Sequence, residues 1–155
     1  MRGKKAPKRD RQKDSVYQSE TVARFINYVM LDGKKTLAEK SVYHAIEEGA
    51  KQVKKEPMEL LEGALNNVKP ALEVRSRRVG GANYQVPVPV DEERQEALAL
   101  RWLIKGARGK KGKDFHEFLT SELVQAFKGE GEAVRMKEDT EKMAEANKAF
   151  AHFRW

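Results

Sequence analysis

The sequence predicts a mainly α-helical protein, a bundle of about six helices with one β-hairpin protruding between helices three and four. Three observations carry this. Apolar residues recur at three- and four-residue spacing through most of the chain beyond residue 19. One stretch, residues 72–90, alternates residue by residue about a Gly-Gly turn. The 155 residues, 39% of them hydrophobic, suffice for one domain with one core.

Val22, Phe25, Ile26, Val29 and Met30 form the inner face of the first helix, with Ser19 as its N-cap. The second helix is expected to open on Thr36-x-x-Glu39, a capping box in which hydroxyl and carboxylate each satisfy a free backbone N–H. Ala38, Val42, Ala45, Ile46, Gly49 and Val53 are its stripe. Pro57 suits the first turn of the third helix, Leu61, Ala64, Leu65 and Val68 line it, and Pro70 ends it.

Leu72, Val74, Ser76 and Arg78 then alternate with Glu73, Arg75, Arg77 and Val79. Gly80-Gly81-Ala82-Asn83 supplies turn chemistry, and Tyr84, Val86, Val88 and Val90 alternate again. Pro87 and Pro89 forbid pairing on both sides, so the ribbon lies on the helices or projects as an arm. Asp91 caps the fourth helix, Glu92 and Glu93 favour its first turn, and Leu100, Leu103, Ile104 and Ala107 face inward. Gly109 and Gly112 bracket a break. Phe115, Phe118, Leu119, Leu123, Ala126 and Phe127 mark the fifth helix, and Gly129 and Gly131 end it. The last helix carries Met136, Thr140, Met143, Ala144 and Asn147 and runs on toward Phe150. There is no internal repeat. The organisation is a basic tail over residues 1–13 and a single helical domain over 14–155.

Charge is the strongest functional signal. Charged residues reach 35%, against about 25% in ordinary soluble domains, and the formal net charge is +7. Residues 1–13 hold Arg2, Lys4, Lys5, Lys8, Arg9, Arg11 and Lys13 against one acid, Asp10. Such an arm cannot fold on its own account and suits a polyanion. Two further clusters lie in the body: Arg75, Arg77 and Arg78 in the hairpin, and Lys105, Arg108, Lys110, Lys111 and Lys113 around GARGKKGK. The plain alternative for either is a solvated surface.

Other chemistries fall away. There is no cysteine, which excludes disulfide scaffolds, thiol catalysis and Cys-ligated zinc. No apolar run approaches the ~18 residues of a membrane span, and no apolar segment follows the basic N-terminus as in a secretory leader, so a cytoplasmic protein is expected. His44, His116 and His152 fall on different expected elements. His116-Glu117-Phe118-Leu119-Thr120 begins like a zinc-protease helix, but Thr120 replaces the second histidine. GARGKKGKD departs from a phosphate-binding loop at Lys111 and Asp114. The expectation is a binding protein: not an enzyme, with no cofactor and no metal.

The hairpin is the expected binding element. Arginine offers a planar fork that clamps phosphates and stacks on bases. Gly80 and Gly81 let the backbone approach a nucleic-acid strand. Tyr84 either stacks on a base or packs on a helix. Neutralising roughly 6–10 phosphates would make affinity fall by about 10³–10⁵ between about 50 and 200 mM salt.

VKPALEVRSRRVGGANYQVPV, residues 68–88, resembles the signature of the bacterial small-ribosomal-subunit protein seven family. LDGKK (31–35), ALALRWL (97–103) and MAEANKAFAHFRW (143–155) resemble its other blocks in the same order, so the likeness runs from about Tyr17 to Trp155. Phe153 stands where a tyrosine is common, and Pro89 where an acid is common.

The resemblance implies a helical body with a protruding hairpin. It also implies a primary binder of 16S rRNA that nucleates the 3′ (head) domain, at the subunit interface of the small (30S) ribosomal subunit. Exit-site tRNA and the mRNA exit path would be nearby, and small-subunit ribosomal protein eleven a neighbour. It assigns rRNA contact to the tail (Arg2, Lys4, Lys5, Lys8, Arg9, Arg11), to Lys34 and Lys35, to Arg75, Arg77 and Arg78, and to Arg94 and Arg101. The tRNA- and mRNA-facing tip becomes Val79, Gly80, Gly81, Ala82, Asn83 and Tyr84. Two rivals are an architectural DNA-binding protein with a basic β-arm, whose tip here lacks the usual apolar wedge, and an RNA-processing enzyme.

Overall fold

The computed structural model describes Gly3 and residues 12–153. The tail residues Arg2, Lys4, Lys5, Lys8, Arg9 and Arg11 lie outside the described residues. Six α-helices, one 3₁₀ helix and one hairpin follow in chain order: α1 (Glu20–Val29), α2 (Lys35–Val53), α3 (Pro57–Val68), β1 (Leu72–Val79), β2 (Ala82–Pro89), α4 (Glu92–Arg108), α5 (Phe115–Phe127), α6 (Glu132–Ala146) and the 3₁₀ turn Lys148–Phe153.

Helix α5 is the hub. It packs on α2, α3 and α4, while α1 closes over α2 and α4, and α6 lies between α4 and the hairpin. The expected apolar stripes meet in one core, in which Val22, Phe25, Ile46, Leu61, Leu100, Leu103, Leu119 and Leu123 are buried. Ser19 caps α1, its hydroxyl accepting from the Val22 N–H. Pro57 occupies the first turn of α3.

The capping box at Thr36 does not form. Asp32 and Gly33 adopt positive φ of 51° and 71°, and the chain turns early enough for α2 to begin at Lys35 behind Lys34. Asp91 does sit at the cap of α4, but its side chain makes no capping hydrogen bond. At the last helix, Ala133, Val134 and Ala144 are buried while Met143 is exposed, and the α-helix ends at Ala146 before the 3₁₀ turn.

One wholly buried acid joins three of these helices. Glu122 of α5 accepts from the Ala133 N–H at the start of α6 (2.8 Å) and from Lys110 Nζ (2.9 Å). It also presses on α4 at Gly106, where a Cβ would lie 2.8 Å from Glu122 Oε1. A second acid fixes the entry to α1. Asp14 is buried and accepts from the N–H groups of Val16 (3.0 Å), Tyr17 (2.7 Å) and Ser19 (2.8 Å) and from the Tyr43 hydroxyl (3.4 Å).

Strands β1 and β2 pair antiparallel from Leu72↔Pro89 to Val79↔Ala82. The turn is Gly80-Gly81 alone, with φ of +56° and +92°. Positive φ at both positions is what the two-residue hairpin turn demands, and glycine meets it without strain. The root of the ribbon is fixed: Val86, Pro87 and Val90 are buried, and the Ala71 N–H donates to Glu141 of α6 at 3.2 Å.

Candidate nucleic-acid interface

The structure sorts the basic residues by their partners. In the hairpin, Glu73 is buried at the root and takes both Arg75 and, from α4, Arg94 at 3.2 Å. Arg94 braces the hairpin on α4 while Arg75 pairs within β1, so part of the charge of both is spent inside the protein. Arg77 is half-buried, opposite Tyr84 in the ladder. Arg78 is exposed, opposite Asn83, and has no carboxylate partner among the described residues.

The tip Gly80, Gly81, Ala82 and Asn83 is exposed, with Val79 half-buried beside it. Nothing lies within 4 Å of a Cβ built on either glycine, so the turn is open to an approaching strand. Tyr84 is placed differently from its neighbours. Its ring sits 5.2 Å from Phe150 and 4.9 Å from Phe153, so it packs on the 3₁₀ turn. Of the two readings of Tyr84, the packed one is what the fold contains.

Lys34, just before α2, and Lys35, its first residue, are exposed, with Lys34 3.9 Å from Asp32 at the surface. The GARGKKGK cluster is less positive in space than in sequence. Lys110 is held by Glu122, Lys113 stands 3.7 Å from Glu117, and Arg108 donates to the Val29 carbonyl at 2.8 Å. Lys105 and Lys111 are exposed without carboxylate partners among the described residues.

A row of cations on α4 was only half seen from sequence. Arg94, Arg101, Lys105 and Arg108 are spaced by seven, four and three residues, which places them along one helical face. Arg101 lies over the Tyr28 ring at 5.3 Å and Arg108 over the Phe115 ring at 5.7 Å. All four were named from sequence in two separate groups, and counting from Arg101 at helical spacing would have joined Lys105 and Arg108 to the row. Tyr28 left no such signal, being one more aromatic in the α1 sequence.

Two histidines that are distant in sequence do meet: His44 of α2 and His116 of α5 have ring centroids 4.5 Å apart at 71°. Asp114, His116 and Glu117 also place ligand-type atoms within 4.8 Å of one another. Lys113 competes for Glu117, however, and the N-terminal end of α5 adds positive potential, so this corner disfavours a cation. Among the described residues no hydrogen bond joins a serine or threonine hydroxyl to a histidine ring.

A helical scaffold that presents a basic hairpin and a cationic helix face is the layout of a nucleic-acid-binding protein. The chain belongs to the ribosomal protein S7p/S5e family, whose model matches residues 1–148. It is 55% identical over 149 residues, 96% of each chain, to small ribosomal subunit protein uS7 of Symbiobacterium thermophilum. It is 52% identical over 155 residues, the whole of both chains, to the uS7 of Thermotoga maritima, and 53% identical over 149 residues to that of Carboxydothermus hydrogenoformans. Membership makes the chain an RNA-binding constituent of the small (30S) ribosomal subunit in the cytoplasm, with rRNA and ribosomal proteins as partners. The family is one of ribosomal proteins, not of enzymes. No helix among the described residues is long and apolar enough to cross a membrane.

Proposed function

We propose that this protein is a primary binder of 16S rRNA that nucleates folding of the 3′ (head) domain of the small subunit. The observation that carries the reading is the union of the exposed α4 cations, Lys34 and Lys35 and the open hairpin in one folded domain. Such a surface can clamp several rRNA segments at once without help from another protein. Arg2, Lys4, Lys5, Lys8, Arg9 and Arg11 extend the same contact. Arg75, Arg77, Arg94 and Arg101 contribute to it, Arg75 and Arg94 through the nitrogen atoms that Glu73 leaves unused.

The hairpin tip, Val79 to Asn83, faces exit-site tRNA and departing mRNA at the subunit interface, and Tyr84 supports the tip from behind. Small-subunit protein eleven is a neighbour at this end. The DNA-bending alternative has little in its favour, since the exposed turn Gly80-Gly81-Ala82-Asn83 offers no large apolar side chain to wedge between base steps.

The test is footprinting of naked 16S rRNA with this protein alone. Protection confined to the 3′ domain is the expected result. A footprint that appears only after other ribosomal proteins are added overturns the primary-binder reading. A short cross-linker at Asn83 in reconstituted subunits should reach tRNA in the exit site, and its failure to do so removes the exit-site assignment.

A further inference from the structure

Between α1 and the C-terminal half of α4 lies a shallow depression of about 420 Å³, within the range of clefts that hold small ligands. Its lining is Tyr28, Arg101, Ile104, Lys105, Arg108 and Gly109. Three of the six are cations and none is an acid. Several basic side chains elsewhere on the body pair with carboxylates, Arg24 with Glu96, Arg75 and Arg94 with Glu73, Lys110 with Glu122, whereas Arg78 and Lys111 stand without one among the described residues, at scattered positions. Here, among the described residues, Arg101, Lys105 and Arg108 have no such partner. Asp91, Glu92 and Glu93 line the adjoining depression on the far side of Arg101, so the end at Lys105 and Arg108 is the part that calls for an external anion.

The cations are also held in a particular way. Arg101 is parked over Tyr28 and Arg108 over Phe115, and Arg108 is tethered to the Val29 carbonyl as well. Their planar groups are thus fixed before a ligand arrives, whereas Lys105 is an exposed, mobile point charge. Buried Ile104 gives an apolar floor and Gly109 leaves one rim without a side chain. A duplex phosphate ridge would need only the charges. The additional flat faces suit a base removed from its stack, since unpaired RNA bases are taken up on aromatic rings and guanidinium planes.

We propose that this depression is a subsite for one unstacked RNA nucleotide, its base lying on the Arg101–Tyr28 face and its phosphate against Lys105 and Arg108. The inference rests on the rRNA-binding reading above and deepens it: the α4 face reads the conformation of a particular nucleotide as well as holding backbone.

The experiment compares the full-length protein with variants on a transcript of the 16S rRNA 3′ domain. Affinity is measured across a salt series, and base reactivity toward chemical probes is mapped in each complex. Arg101 is exposed, so Arg101→Lys keeps the fold and the charge and removes only the flat face. It should bind about tenfold more weakly at every salt concentration with an unchanged salt slope. One unpaired base protected by the wild-type protein should become reactive. Tyr28→Phe should behave as wild type. Lys105→Ala should reduce the salt slope by about one without exposing that base. An Arg101→Lys variant that binds like wild type, with the same bases protected, overturns the subsite while leaving rRNA binding standing. Failure of the wild-type protein to bind the transcript removes the parent reading, and the subsite with it.

Discussion

Replacing Glu122 with alanine should unfold this protein earlier by an amount that the structure allows one to work out. The carboxylate is fully buried and holds two donors, the Ala133 N–H at 2.8 Å and Lys110 Nζ at 2.9 Å. Without it the buried N–H of Ala133 loses its acceptor, at about 1–3 kcal/mol. Lys110 is one-third exposed and can turn to water, so its lost pairing adds at most about 1 kcal/mol. The emptied space beside Gly106 adds about 1 kcal/mol more. The total is about 3 kcal/mol, or about 6–12 °C in Tm for a chain of this size. Reversible urea unfolding followed by circular dichroism, with a parallel thermal melt, measures it. Gly106→Ala should fail in the same direction by about 1–3 kcal/mol, because its methyl group would collide with the same carboxylate. A Glu122→Ala variant within about 0.5 kcal/mol of wild type would refute the role assigned to this acid.

Asp14 makes stability depend on pH. Burial pushes its carboxyl up, but the N–H groups of Tyr17, Ser19 and Val16 and the Tyr43 hydroxyl outweigh burial and hold it below the ordinary value. Its contribution is therefore complete above the unfolded pKa of about 4 and is lost as pH falls from there through the folded pKa. Asp14→Asn should be less stable at neutral pH, with the gap closing on acidification; a gap that stays constant in acid denies the carboxylate this role. Tyr84→Ala removes two ring contacts, each worth about 0.5–1.5 kcal/mol beyond buried area. Hydrogen exchange should quicken in both β2 and the 3₁₀ turn, and unchanged protection would mean the rings do not couple them. Arg78→Ala touches no ion pair among the described residues, so the melting temperature should hold while the salt slope of rRNA binding falls by about one. A lowered melting temperature would make Arg78 structural.

What was legible in the sequence was whatever repeats locally. The stripes of α1 to α5 and the alternation around Gly80-Gly81 are set by residues a few positions apart, and they fold as their spacing says. What stayed hidden depends on partners brought from afar. GARGKKGK contains no acid in sequence, yet Glu117 and Glu122 come in from α5 to meet Lys113 and Lys110. Arg75 sits two residues from Glu73, but only the fold brings Arg94 to the same carboxylate. Glu122 itself gives no warning, since a lone acid beside a helical stripe ordinarily points to water. Thr36 and Glu39 match a capping motif, yet the turn at Asp32-Gly33 decides where α2 begins. At the interface the sequence indicated which residues are basic, and the aromatic seats beneath Arg101 and Arg108 appeared only in three dimensions.

The hairpin is clamped at two heights, by Glu73 and Glu141 near its base and by Tyr84 against the 3₁₀ turn further out. Beyond the second clamp only a few residues stand unsupported, so the ribbon behaves as a short, stiff cantilever whose free end cannot sway far. A probe built this way gives up little freedom when it docks. It also makes the two halves of the chain interdependent: shortening the protein after Asn147 would strip the outer clamp and slacken a turn far upstream in sequence.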